Sequence, residues 1–190
     1  MQITPLLALA LASAAVGAGC GRRAEPSVVV YVSVDQLHAE PLLRRFEADR
    51  GVHVRAVYDV EAAKTTGLVQ RLLAEAPHAR ADVFWSGEAA QTAVLAEQGV
   101  LAPHRPPGLE RPASCLDPDG LWTSVGGRVR VLLVNEGRLR PDQYPARLDD
   151  LVSGRVPAER VGLAWPLFGT TATHGAALYA TRGPEAARRF

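Results

Sequence analysis

The pattern of apolar and polar residues predicts three strand–helix units near the start of the chain. A continuous β-branched and aromatic run at residues 28–32 is typical of a strand buried on both faces. An apolar stripe that follows Asp35 and stops at Gly51 predicts a helix with Asp35 as its N-cap. The pattern then repeats, with strands predicted at 52–57 and 81–85 and helices at 66–76 and 88–98. Three such units favour a parallel, doubly wound α/β sheet with right-handed crossovers.

The pattern changes after residue 101. Five prolines lie between residues 102 and 120, and no helical or strand period survives there, which predicts a long surface connection closing a first lobe at 28–120. Residues 127–135 predict a long strand that crosses between two lobes. Later segments predict a second, incomplete α/β lobe within 121–190: a short helix around 148–151, a strand at 161–165, a helix at 171–179, and another from Pro184 after Gly183.

The amino terminus is typical of an export signal. Residues 3–19 carry no ionisable side chain, and the apolar core at 6–16 is shorter than the roughly 20 residues that a membrane span needs. Small residues directly before Cys20 resemble the lipobox of bacterial lipoproteins, which predicts a signal peptide at 1–19, a lipidated Cys20 and a leader at 20–27. The alternative is a signal peptide cut nearby, with Cys20 an incidental thiol. A lipidated Cys20 leaves Cys115 free, whereas two free thiols could form one disulfide in an exported protein.

Composition and charge exclude several classes of protein. Apolar residues make up 47% of the chain and charged residues 22%, which argues against disorder and against a disulfide scaffold. The formal net charge is +1, so no excess of positive charge is available for a nucleic-acid backbone. Nearly every cation is arginine, which we interpret as a bias of composition rather than a sign of binding.

The candidate site lies at the strand-to-helix turns, because ligands of open parallel sheets bind outside the carboxyl ends of the strands. The last of these turns, a Gly169 followed by three threonines that open a helix, resembles an anion cradle. Helix capping alone is the alternative for each turn, and His174 either faces the ligand or packs beneath it. The candidate ligand-binding residues are Ser33, Asp35, Ser86, Glu88, Thr170, Thr171 and Thr173.

Enzymatic chemistry is not indicated. Ser33 and Ser86 do not lie in a GxSxG elbow, and the spacing of Asp35, His38 and Glu40 matches no zinc or hydrolase signature. We therefore expect a protein that is not an enzyme and that has no cofactor.

Several stretches resemble the family 1 extracellular solute-binding proteins of bacterial ABC importers, in particular the ferric iron branch. These stretches are VVVYVSVDQLHAEPLLRRFEADRGVHVRAVYD, EAAKTTGLVQRLLAEAPHARADVFWSGEAAQTAVLAEQGVLAP, GRVRVLLVN and PLFGTTATHGAALYA. The resemblance implies a type II periplasmic-binding-protein-like fold whose two lobes close over ferric iron or a small anion. It also implies delivery of that solute to a membrane permease, an exported periplasmic or cell-surface location, and Asp35 and Glu88 as metal ligands.

The resemblance further implies that the chain is truncated at its carboxyl end. The paired metal-binding tyrosines of ferric relatives lie beyond the stretch that matches, and this chain has no Tyr-Tyr pair. Without these tyrosines, we expect weak iron binding. Because the second lobe is incomplete, we expect the first lobe, residues 28 to about 101, to be the ordered part. The alternatives are a remnant that binds nothing and, less favoured, a small hydrolase.

Overall fold

A computed structural model of the protein describes residues 25–59, 66–167 and 169–190. The predicted signal peptide and Cys20 lie outside these residues. The first part of the chain alternates strands with helices, as the sequence predicts. These elements are β1 (Ser27–Val32), α1 (Gln36–Arg50), β2 (His53–Tyr58), α2 (Thr66–Glu75), β3 (Val83–Trp85) and α3 (Ala89–Glu97).

The three strands form one parallel sheet in the order β2-β1-β3. The central strand β1 pairs along its whole length with β2, from Ser27 opposite His53 to Val32 opposite Tyr58. It pairs with β3 only at its carboxyl end, where Val32 lies opposite Trp85. A strand with neighbours on both sides and helices over both faces needs an apolar sequence, and this explains the uninterrupted run at 28–32.

The two faces of β1 are covered differently. Val30 and Val32 pack on one face against Ala39 of α1, and all three side chains are buried. Because side chains alternate along a strand, Tyr31 lies on the opposite face. Its hydroxyl donates to the carboxylate of Glu75 at the end of α2, which places α2 over that face. The sheet therefore has helices on both sides, the doubly wound arrangement that the sequence predicts.

The first helix begins and ends where the sequence predicts. Asp35 occupies the N-cap position of α1, although its side chain makes no capping hydrogen bond. Gly51 adopts a left-handed backbone, with φ of 61°, and its N–H donates to the carbonyl of Glu47. A residue with a Cβ is strained in this conformation, so glycine ends the helix cleanly.

The proline-rich connection forms a compact turn instead of a regular element. Leu116 and Thr123 form an isolated antiparallel bridge, and the carboxylate of Asp117 accepts from the backbone N–H groups of Asp119 and Leu121 inside it. The predicted lack of helical or strand period between residues 102 and 120 is confirmed, apart from a 3₁₀ turn at Ala113–Cys115.

Two predicted strands are wrong. Neither 127–135 nor 161–165 is a strand in the structure, although both are apolar enough. The alternating side chains of the first segment lie in solvent, with Val129 83% and Leu133 96% exposed. Because a strand exists only through hydrogen bonds to a neighbour, and the described residues offer these segments none, the apolar pattern stays unpaired.

The last helix is broken in the place that the sequence predicts. Helix α4 spans Gly169–Arg189, but Gly183 has non-helical angles, with φ of 83° and ψ of 169°, and Pro184 begins the second segment. The predicted short helix near residue 150 is a 3₁₀ turn, Leu148–Leu151.

Candidate functional site

The carboxyl ends of β1 and β3 meet at one edge of the sheet. The backbone N–H of Ser33, just after β1, donates to the carbonyl of Trp85 at 3.0 Å. In return, the buried Ser33 hydroxyl accepts from the N–H of Gly87 at 3.0 Å. The turn after β1 and the turn after β3 are thus joined by two hydrogen bonds.

Glu88 is the most enclosed acidic side chain of this edge, with 6% of the residue exposed. It is the N-cap of α3, because its carboxylate accepts from the N–H groups of Ala90 at 3.0 Å and Gln91 at 2.8 Å. Ser86 supports this turn, since its hydroxyl donates to the carbonyl of Glu88 at 2.7 Å. Capping satisfies two free amides of α3 and holds the carboxylate against the sheet edge.

The first turn of α4 reaches the same carboxylate. The hydroxyl of Thr173 donates to Oε1 of Glu88, across 85 residues of sequence. Thr171 is nearly buried beside it, with 7% of the residue exposed, and Thr170 is half-buried. The structure therefore brings Thr173 to Glu88, beside Ser33 and Ser86, from three separate segments that the sequence predicts for the site.

Asp35 lines a neighbouring cavity. A cavity of about 300 Å³ is bordered by Ser33, Asp35, Tyr58 and Asp59, together with backbone and apolar atoms of the β1–α1 turn. Burial raises the pKa of the Tyr58 hydroxyl, and the nearby Glu40 carboxylate raises it further. Ser33 is shared between this cavity and the Glu88 edge.

A complete metal site is not present in the part of the chain that the structure describes. No group of three or more histidine, cysteine, aspartate or glutamate side chains comes together there. Both carboxylate oxygens of Glu88 already accept hydrogen bonds from the protein. Asp35 and Glu88 as iron ligands therefore stay a prediction.

Two arginines at this edge were missed by the sequence analysis. The Nη2 atom of Arg128 lies 3.5 Å from the position that a Cβ on Gly87 would take. Arg130 donates from Nη2 to the carbonyl of Thr170 at 2.8 Å. Residues two apart lie on one side of a strand, so the spacing of Arg128 and Arg130 within the predicted strand was the available signal. The abundance of arginine along the whole chain hid it.

Burial and two arginines, Arg130 and Arg182, affect the pKa of His174, which lies one turn into α4. Burial lowers the pKa of its imidazole, and the positive charges of Arg130 and Arg182 lower it further. Its ring and the Phe190 ring form a T-shaped pair, with centroids 6.0 Å apart. The lowered pKa favours the neutral imidazole, and the guanidinium groups of Arg130 and Arg182 carry positive charge beside it.

Known proteins share this architecture. Iron-bound HitA from Pseudomonas aeruginosa superposes with a TM-score of 0.72 at 22% identity, over 86% of this chain and 52% of HitA. The apo ferric ion-binding protein A of Pasteurella haemolytica gives 0.72 at 24% identity, and Trichodesmium FutA with iron and citrate gives 0.68 at 22%, each over 86% of this chain and 50% of the other.

The chain has the fold of about one half of each of these proteins. This confirms the predicted type II periplasmic-binding-protein-like class and the predicted resemblance. In sequence, the chain is 28% identical over 120 residues to iron uptake protein A1 of Synechocystis, covering 60% of this chain and 32% of that protein. The chain thus spans about a third of this curated relative and about half of the solved ferric-binding proteins. No family model matches it.

Proposed function

We propose that the chain belongs to the solute-binding component of an ABC importer, which captures ferric iron or a small anion and delivers it to a membrane permease. The relatives are named as iron uptake and ferric-binding proteins, and this supports a role in transport without catalytic turnover. The observation that carries the proposal is the convergence of two strand-to-helix turns and the first turn of α4 at one sheet edge, through the hydrogen bonds of Ser33, Glu88 and Thr173.

Of the two solutes, the described residues of this edge favour an anion. Arg128 and Arg130 approach it with positive charge, and the first turn of α4 presents backbone N–H groups that have no partner within the helix. Ferric iron prefers several anionic oxygen ligands, whereas the carboxylate of Glu88 is already used by the protein. Iron as the solute is supported by the names of the relatives.

A hydrolase is disfavoured by the state of the serines. The Ser86 hydroxyl donates to the carbonyl of Glu88, so its proton is held by a backbone oxygen and not by a general base. The Ser33 hydroxyl accepts from Gly87 inside the buried turn.

A thermal-shift series tests the proposal. We expect inorganic phosphate or ferric citrate to stabilise the exported chain, by about 2.7 kcal/mol at 100 times the dissociation constant. Arg128→Gln should weaken phosphate binding about tenfold, because charge-assisted hydrogen bonds to an oxyanion are the strong ones. The matched control is Arg160→Gln, at the end of the 3₁₀ turn Ala158–Arg160, which should bind as the parent does.

Two outcomes decide against the proposal. The absence of stabilisation by phosphate and by ferric citrate would favour the remnant that binds nothing. Consumption of an ester substrate without stabilisation would favour the hydrolase.

We also propose that the protein is exported and held at a membrane by lipid on Cys20. None of the helices in the described ranges is long and apolar enough to cross a membrane. Two acyl chains suffice for stable attachment, since each buried methylene contributes about 0.8 kcal/mol. Cys20→Ser should move the protein from the membrane to the soluble fraction, with Cys115→Ser as the matched control. A Cys20→Ser protein that stays with the membrane would contradict the anchor.

A further inference from the structure

The carboxylate of Glu88 has one partner more than a helix cap requires. Its two capping bonds, to the N–H groups of Ala90 and Gln91, already make it the N-cap of α3. The third partner is the hydroxyl of Thr173 on α4, which also donates to Oε1. Glu88 is buried, so water is largely excluded from its carboxylate. A buried carboxylate needs hydrogen-bond partners within the protein, and the Thr173 hydroxyl is one of them.

This bond has a special position in the chain. Among hydrogen bonds whose two partners are both described, it is the one that joins residues 126–190 to residues 25–101. Arg130 ties Thr170 to its own half of the chain, and Arg182 ties Asp149 within that half as well. This contact between Glu88 and Thr173 therefore joins the first turn of α4 to the sheet edge.

The hydroxyl of Thr173 also has a second acceptor. The carbonyl of Gly169, one turn earlier in α4, lies 3.4 Å from Oγ1. When the bond to Glu88 breaks, the hydroxyl can turn to this carbonyl, and the carboxylate keeps its two amide partners. Neither side is left with a buried polar group that has lost all its hydrogen bonds, so the contact can open at low cost.

We propose that Glu88 is a latch: a positioning residue that acts through Thr173 to hold the first turn of α4 over the sheet edge. Solute affinity then depends on Glu88 although its carboxylate does not touch the solute. The link to affinity rests on the proposed function, whereas the latch itself does not. This role differs from the metal ligand that the sequence resemblance implies for the same residue.

Two substitutions separate the latch from the cap. Glu88→Asp keeps a good N-cap residue for α3 but shortens the side chain by one methylene, which withdraws the carboxylate from Thr173. Thr173→Val removes the hydroxyl and keeps the shape of the side chain. Thr92→Val is the matched control, because Thr92 donates to the backbone carbonyl of Glu88 and takes no part in the contact with α4.

Amide hydrogen exchange on the solute-free protein is the measurement. Glu88→Asp and Thr173→Val should each speed exchange across residues 173–177 about tenfold, since a hydrogen bond to a charged group is lost. The amides of Ala90 and Gln91 should stay as protected as in the parent. Thr173→Ser should restore slow exchange in α4, and Thr92→Val should leave it unchanged.

The outcomes separate the latch from the proposed function. Parent-like exchange of α4 in Thr173→Val would overturn the latch, and this variant decides the matter even where Glu88→Asp fails to fold. Faster exchange without any binding of phosphate or ferric citrate by the parent would support the latch and reject the proposed function. Where the parent binds phosphate, Thr173→Val should bind it about tenfold more weakly.

Discussion

At the scale of single residues, the buried face of the sheet opposite α1 depends on Tyr31. Only 1% of this residue is exposed, and its hydroxyl donates to Oε2 of Glu75 at 2.7 Å. The guanidinium of Arg71 lies 4.6 Å from the centre of the tyrosine ring and donates to the other carboxylate oxygen of Glu75. The three side chains form one polar group over an apolar surface, at the end of α2.

The pKa directions at this group predict how stability depends on pH. Burial, and then the bond to Glu75, raise the pKa of Tyr31, so its contribution is complete below about pH 10, the ordinary tyrosine value, and is lost as pH rises through the higher folded value. Hydrogen bonds from Arg71 and Tyr31 lower the pKa of Glu75. Its contribution is present above the ordinary glutamate value and is lost as pH falls through the lower folded value.

Tyr31→Phe should therefore lower the free energy of unfolding by about 1 kcal/mol at pH 7, because a hydrogen bond is lost. The variant should also lose less stability than the parent above pH 10. Urea unfolding at several pH values measures both effects. The matched control is Tyr179→Phe, since Tyr179 is exposed on α4. Equal alkaline stability profiles for Tyr31→Phe and the parent would contradict the assignment.

At the scale of elements, the sequence predicts what is local and misses what needs a partner. Helix α1 could be predicted because its limits are local, with Asp35 at one end and the left-handed Gly51 at the other. Strand β1 could be predicted because its apolar run has two neighbouring strands to pair with. The segment 127–135 has an equally apolar pattern. That pattern shows which side chains favour burial, but it does not supply a neighbouring strand for hydrogen bonding.

The location of the candidate-site residues could be predicted to a similar extent. Ser33, Ser86 and Glu88 could be placed at one edge because the carboxyl ends of parallel strands meet there. The contact between Glu88 and Thr173 joins distant segments, so no local pattern contains it. Arg128 and Arg130 could not be assigned to the site from the sequence, because an arginine near a site and an arginine elsewhere on the surface look the same in a sequence.

At the scale of the whole molecule, the described part of the chain leaves a large apolar surface uncovered. The exposed large side chains of its second half are Val125, Val129, Val131, Leu133, Leu163, Trp165, Leu167 and Tyr179. Each contributes roughly 1.5–3 kcal/mol when it is covered, so contact with another apolar surface is favoured.

We expect the chain to self-associate at high concentration, and the double variant Val131→Asp, Leu133→Asp to associate less, because charge opposes burial of this segment. Sedimentation velocity over a range of concentrations measures this, with Arg128→Gln, on the same segment, as a control that leaves the apolar residues intact. A parent chain that sediments as a monomer at every concentration, as the double variant does, would refute the expectation.

The central place of β1 also sets an order of folding. Its pairing with β2 closes a shorter loop of chain than its pairing with β3, and closing a shorter loop costs less entropy. The first pairing spans all six residues of β1, whereas β3 adds only its last three. We therefore expect the edge that carries Ser33 and Glu88 to assemble after the β1–β2 pair and to open first when the sheet unfolds.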